Sequence, residues 1–253
     1  MSNKLKQYIE DLILTVKKDQ PIFSIRWNDA IFWVKHPQLN PPTFWHRVQR
    51  ILNILIPLDI IRSTIQKNPS RNLDHEIQRL NEFEMKEMPA PRIKALSNKW
   101  VCMSDVGSTL HSLLERRKCK KTHLLKAAET LANFHDKGCY HGRAKLNDLT
   151  LMDNSTIGFI DFEENALRVM SLTSAQNRDL YLFISSLCRW DPAIAEEALQ
   201  TYLKTRAAEH SYKTLKQLLW LLKPIKLLFP FTHKMSKDLR QAYFAQKIFE
   251  KLL

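Results

Sequence analysis

The sequence predicts an α+β fold, and three observations carry that reading. A pair of β-branched and aromatic runs lies near the start, a second pair of short apolar runs lies past the middle, and most other apolar positions recur at helical spacing. No internal repeat and no low-complexity tract interrupts this order.

The first strand pair covers Ile22 to Trp27 and Ala30 to Lys35, with Asn28-Asp29 as a tight polar turn between them. From Thr43 to Ile56, Phe44, Val48, Ile51, Leu52 and Leu55 follow helical spacing, with Arg47 and Arg50 on the other side; Pro57 limits that helix. After the polar stretch Gln66 to Arg71, Leu73, Ile77 and Leu80 form the apolar face of a second helix, with Asn72 as its candidate cap. Glu76 falls inside that apolar stripe. A carboxylate directed inward needs a cationic partner, because an unpaired buried charge is costly.

Pro89-Ala90-Pro91 breaks the pattern, and Lys99 to Met103 resumes as a short strand entering a linker at Ser104-Asp105-Val106-Gly107. Leu124 to Lys137 predicts a strong helix, with Leu124, Ala128, Leu131 and His135 in one row and Gly138 as its stop. Leu149 to Met152 and Ile157 to Ile160 read as a second hairpin around Asp153-Asn154-Ser155, ending at Asp161-Phe162-Glu163. From about Asp179 onward the chain reads as helical.

At 253 residues and 44% hydrophobic content, the chain can bury a substantial core as one bilobal domain or two small lobes around a cleft. A net charge of +13 calls for an anionic partner: nucleotide phosphates, nucleic acid or an acidic membrane surface. Nucleic acid is the least favoured, because no zinc finger, basic zipper or aromatic RNA-binding signature is visible and the charge is spread along the chain. Cys102, Cys119, Cys139 and Cys188 form no Cys-x-x-Cys pair, so neither a zinc site nor a disulfide framework is expected and a reducing cytoplasm fits. The charged N-terminal segment lacks a signal peptide's apolar core, and no apolar run approaches the roughly 20 residues needed to span a bilayer.

Taken together, Val34-Lys35, Glu76, the run Ala127-x-x-x-Leu131-x-x-x-His135-x-x-Gly138-x-x-His141-Gly142, Asp148 and Asp161-Phe162-Glu163 resemble the landmarks of the protein-kinase-like superfamily in order and interval. The closest resemblance is to small bacterial lipopolysaccharide kinases, which phosphorylate Kdo or heptose in the inner core and share a His-Gly or His-Ala loop and an Asp-Phe-Glu. It covers roughly Ile22 to Arg189 and is strongest from Leu124 to Glu163. Asn177-Arg178-Asp179-Leu180 is similar to the Arg-x-Asp-Leu that opens a C-lobe helix in these families, where the aspartate braces the catalytic loop.

The resemblance implies a bilobal kinase-like fold, with a small strand-containing N-lobe over 1–106, a helical insertion near 43–65, and a mostly helical C-lobe over 107–253. It implies ATP and Mg2+ as cofactors and a sugar or lipid-linked sugar as acceptor. Lys35 would hold the α/β phosphates and Glu76 would pair with it, with Asp105 on the linker completing the cofactor-binding set. Asp161 and Asp148 would ligate the metal, Asn147 replacing Asp148 if the loop aligns one residue earlier. His141, Arg143 and Lys145 form the catalytic set, and His135 and His141 carry structural roles.

Arg143 stands where such kinases carry the aspartate that takes the acceptor's proton. A guanidinium stays protonated and cannot be that base, although it can neutralise a phosphate. Two functions therefore stand: an ATP-dependent phosphotransferase, and a pseudokinase that binds or scaffolds without transfer. None of the glycines, Gly107, Gly138, Gly142 and Gly158, lies in the first hairpin, leaving Lys17-Lys18-Asp19-Gln20 as the candidate phosphate cradle. Basic amphipathic stretches at Phe44 to Ile56 and Leu215 to Phe231, flanked by Trp45 and Trp220, fit an anionic membrane surface on the cytoplasmic side as well as ordinary core-facing helices.

Overall fold

Asn28 and Asp29 both adopt left-handed backbone, with φ of 47° and 61°, the requirement of a two-residue type I′ turn. The turn closes β1 (Ile22–Trp27) onto β2 (Ala30–Lys35) in antiparallel register, Trp27 opposite Ala30 and Ile22 opposite Lys35. The computed structural model describes residues 3–15, 20–37, 60, 69–152, 155–223 and 237–253. The expected helix at 43–56, the insertion at 43–65 apart from residue 60, the basic run at 17–19 and the turn residues 153–154 lie outside the described residues.

Ahead of the hairpin, α1 (Asn3–Thr15) buries Leu5 and Ile9, one turn apart on one face. After it come α2 (Pro69–Met85), β3 (Ile93–Leu96) and β4 (Val101–Ser104), and the four strands make one sheet ordered β1-β2-β4-β3. Alternation along β4 divides two cores. Cys102 joins Leu5, Ile9, Phe23, Ile25, Val34, Ala95 and Trp100, whereas Val101 and Met103 join the larger core built with α2 and the helical part. Helix α2 is already under way at Asn72, which corrects the expectation that Asn72 caps it. Its apolar stripe is as expected, with Leu73 and Leu80 buried and Ile77 partly so.

A second sheet begins at β5 (Ser108–Thr109), which leads directly into α3 (Leu110–Glu115) with Thr109 capping the Ser112 amide. Gly107 permits this entry: its φ is 87°, and a Cβ there would lie 2.1 Å from the Leu151 carbonyl oxygen. Helix α4 (Lys121–Asp136) buries Leu124, Ala128, Leu131 and His135 in one row and ends at Gly138, as its sequence predicts. β6 (Leu149–Leu151) and β7 (Ile157–Phe159) then pair antiparallel, giving the order β5-β6-β7.

The rest of the described chain is helical. A 3-10 turn at Ala166–Arg168 precedes α5 (Leu172–Cys188), α6 (Pro192–Thr205), α7 (Lys213–Leu221) and α8 (Lys237–Leu252). α5 starts seven residues before Asp179, so Arg178-Asp179 lies within a helix capped by Ser171 and does not open one. In the basic stretch from Leu215, the side chains of Leu215, Leu218 and Leu219 enter the core while Trp220 is 65% exposed; residues 224–231 lie outside the described residues. Among the described residues no helix is long and apolar enough to cross a membrane. The architecture is α+β, with a small strand-containing N-terminal region and a helical C-terminal part.

Candidate functional site

Lys35 is the last residue of β2, Glu76 lies in α2, and Asp161 follows β7, yet the three side chains meet. Lys35 Nζ is 2.7 Å from Glu76 Oε2, 3.0 Å from Asp161 Oδ1 and 3.5 Å from Glu163 Oε2. The alternation of β2 explains the delivery, because Val34 points into the core beside α1 and its neighbour Lys35 points to the opposite face. Glu76 is 2% exposed, and the inward carboxylate thus finds the cation that its burial requires. Arg79, one turn further along α2, donates to the Tyr140 carbonyl and ties this helix to the loop after α4.

That loop is held from below by one buried carboxylate. Asp179 accepts from the backbone amides of His141 (2.6 Å), Gly142 (2.9 Å) and Ala144 (3.2 Å). Gly142 has φ of 101°, and a Cβ there would press on Glu164 at 3.0 Å, so the close turn needs glycine. His141 Nε2 lies 2.8 Å from the Ile160 carbonyl and links the loop to the end of β7. His135 Nδ1 lies 2.7 Å from the Tyr202 hydroxyl, a packing contact with α6 rather than a place in the site.

The loop presents Arg143 to the carboxylates. Its Nη2 is 2.6 Å from Asp161 Oδ2 and 3.6 Å from Asp148 Oδ1. Asp161 itself takes left-handed backbone, φ 68°, and its two oxygens are divided, one to Lys35 and one to Arg143. Of the two loop residues the sequence offered, Asp148 is buried beside Arg143, whereas Asn147 is exposed. Lys145 is half-buried nearby and makes no salt bridge among the described residues. Asp105 stands on the connection between the two sheets, where Trp33 Nε1 donates to it at 2.6 Å and the Gly107 amide at 3.2 Å.

Charge is unevenly shared here, since Lys35 and Arg143 serve four carboxylates. Burial opposes the charge of Lys35, but Glu76, Asp161 and Glu163 outweigh it and its pKa is raised. Because that one ammonium is divided among three partners, burial prevails at Glu76 and pushes its carboxyl up. Burial also pushes Asp148 up to about 6, against the pull of His141 and Arg143. At Asp161 burial loses to Lys35 and Arg143, and its carboxyl is held below the usual range. Burial and the neighbouring Arg143 lower Lys145.

Asp161 and Asp148 are the hard oxygen donors that Mg2+ takes from a protein, and Asp148 Oδ2 is buried without a hydrogen-bond partner. The space between them is nevertheless reached by the Arg143 guanidinium. With Arg143 in this place the residues do not admit a second cation bridging the two carboxylates. Among the described residues, no group of three or more His, Cys, Asp or Glu side chains is arranged to hold a metal.

Of the residues that sequence reasoning named, the structure brings together Lys35, Glu76, Asp161, Asp148, Arg143, Lys145 and His141 and leaves Asp105 on the connection. It adds Glu163 as a third partner of Lys35, and Glu164, which is buried beside Arg178 at 3.5 Å. The signal for Glu163 was the third position of Asp161-Phe162-Glu163, where a side chain replaces the glycine usual in kinases.

No protein-family profile matches the chain. It is 24% identical to a protein of Haemophilus influenzae described only as uncharacterized, over 98% of this chain and 97% of the other. Among solved structures it is similar to a Map kinase from Leishmania major, at 13% identity and a TM-score of 0.40. That alignment covers 83% of this chain and 62% of the kinase, so the chain spans somewhat less than two thirds of the length of the protein it matches.

Proposed function

We propose that the chain is a kinase-like, ATP-dependent phosphotransferase. The observation that carries this reading is the meeting of Lys35, Glu76 and Asp161 from three separate elements, 2.7 and 3.0 Å apart at the ammonium. Phosphoryl transfer is mainly positioning and charge neutralisation, and these side chains are suited to both. Lys35, fixed by Glu76, takes the α/β phosphates. Lys145, which has no salt-bridge partner among the described residues, and Arg143 face the transferred group. The acceptor hydroxyl gives up its proton late, to solvent or to the phosphoryl oxygens, as a loose transition state allows. The acceptor class, a sugar or lipid-linked sugar as in lipopolysaccharide core, rests on the sequence resemblance of the loop and of Asp161-Phe162-Glu163. A site on an anionic membrane surface rests on the basic composition.

One observation favours the second reading, a nucleotide-binding module without transfer. Arg143 replaces the proton-accepting aspartate and is bonded to Asp161. A thermal-shift and calorimetric titration with ATP, followed by ADP release in the presence of core oligosaccharide, separates the readings. Wild type is expected to bind ATP, and Lys35→Ala to bind at least tenfold more weakly. ADP release that depends on oligosaccharide supports transfer, and ATP binding without it supports the module. Absence of ATP binding by wild type sinks both.

A further inference from the structure

We infer that Arg143 is the resident cation of this cleft: its guanidinium stands between Asp161 and Asp148 where a divalent ion would bridge them, and keeps divalent-cation affinity low. This deepens the reading of the cleft as a phosphate site, but its test needs no nucleotide.

The placement is built into the loop and is not a chance excursion of a surface arginine. On either side of Arg143 the backbone is pinned, since Gly142 and Ala144 both donate to Asp179, and the Arg143 amide itself lies 3.3 Å from His141 Nδ1. Gly142 cannot carry a side chain without pressing on Glu164, so the turn that aims Arg143 has little freedom. From this mount the guanidinium reaches Asp161 at 2.6 Å and Asp148 at 3.6 Å, and its side chain is 34% exposed. A fork of N–H donors matches carboxylate oxygens well and keeps its charge at any working pH.

A divalent ion needs those same oxygens and must approach a fixed positive charge to reach them. It also offers something that Arg143 does not, because Asp148 Oδ2 is buried without a hydrogen-bond partner. One guanidinium therefore satisfies the pair incompletely. Removing it leaves Asp161, Asp148, Glu163 and Glu76 facing only Lys35 and the half-buried Lys145, two cations for four carboxylates, an arrangement that draws in a hard cation. The side chain that forfeits the proton-accepting role thus sets the metal dependence of the site.

Mn2+ titration followed by electron paramagnetic resonance, on the full chain stripped with chelator and without nucleotide, tests this. Wild type is expected to bind Mn2+ weakly, and Arg143→Ala to gain one site at least tenfold tighter. Arg143→Lys is expected to fall between them, and Arg143→Ala combined with Asp161→Asn to lose the gained site. Melting curves establish that each variant is folded, and Arg143→Gln, which keeps a polar side chain without the charge, carries the comparison if Arg143→Ala does not fold. Equal Mn2+ affinity in wild type and the charge-removed variants overturns the proposal, as does a gained site that survives Asp161→Asn. Failure of ATP binding would sink the phosphotransferase reading and leave the Mn2+ contrast standing, so the two failures are distinguishable.

Discussion

Asp148 is 5% exposed, one of its oxygens has no hydrogen-bond partner, and Arg143 reaches the other only at 3.6 Å. Burial therefore raises its pKa to about 6, whereas in the unfolded chain an aspartate titrates near roughly 4. Between those values the folded state holds the extra proton, so stability falls as pH rises through the window and levels off above it. Two decades of proton affinity correspond to about 3 kcal/mol. Asp148→Asn removes the charge while keeping the shape, and is expected to raise the melting temperature by several degrees at pH 7 to 8. The gain shrinks to nothing by pH 4, and melts across pH 4 to 8 check it; a gain that persists at pH 4 contradicts this account. Single residues were legible in the sequence where chemistry and pattern conflicted. Glu76 stood out because a carboxylate sat in an apolar stripe, and Arg143 because it broke a motif. Glu163 was visible only as a departure from glycine; that it lies 3.5 Å from Lys35 depends on how far β7 carries it, and spacing alone holds no such distance.

At the level of elements, α5 positions the site through two residues, Arg178, 3.5 Å from Glu164, and Asp179. Asp179 rises from that helix to accept three amides of the loop, and the neighbouring His135, 3.5 Å away, together with His141 holds its pKa low despite complete burial. Asp179→Ala leaves those buried donors unpaired, at a cost of about 3 to 5 kcal/mol. Asp179→Asn, which retains one acceptor oxygen, is expected to cost less. Hydrogen exchange provides the specific readout: amides 141, 142 and 144 lose protection in both variants while the middle of α4 keeps it. Unchanged exchange in the loop would mean that Asp179 is not its brace. Elements with a sustained period were readable in advance, as α4 and the β1-β2 hairpin show. β3 and β5 were not, because β3 fully buries only Ala95 and β5 fully buries no side chain, so neither carries a sustained apolar pattern. α1 was hidden because only Leu5 and Ile9 are fully buried along a largely polar segment.

Across the whole molecule, a chain of aromatic rings joins the strand-containing region to the helical part behind the site. Phe83 of α2 packs 4.6 Å from Phe162 and 5.3 Å from Phe134 of α4, and Phe134 stacks 4.6 Å from Phe159 of β7. Phe162 follows Asp161 directly, and His141 lies 4.9 Å from its ring. The residues carrying Glu76, Asp161 and Arg143 are thus seated on one apolar column, so stability and site geometry are coupled there. Phe83→Ala opens a cavity in a fully buried position and is expected to cost about 3 to 5 kcal/mol. Leu199→Ala, equally buried in α6 and remote from the column, is expected to cost about 2 to 5 kcal/mol. The two variants are expected to separate at the site: Phe83→Ala lets α2 shift, lengthens the Lys35–Glu76 contact and weakens the proposed ATP binding about tenfold or more, while Leu199→Ala leaves that affinity of the folded protein within about twofold. Titration well below both melting temperatures makes the comparison, and equal loss of affinity in the two would show that the aromatic column supports the fold alone.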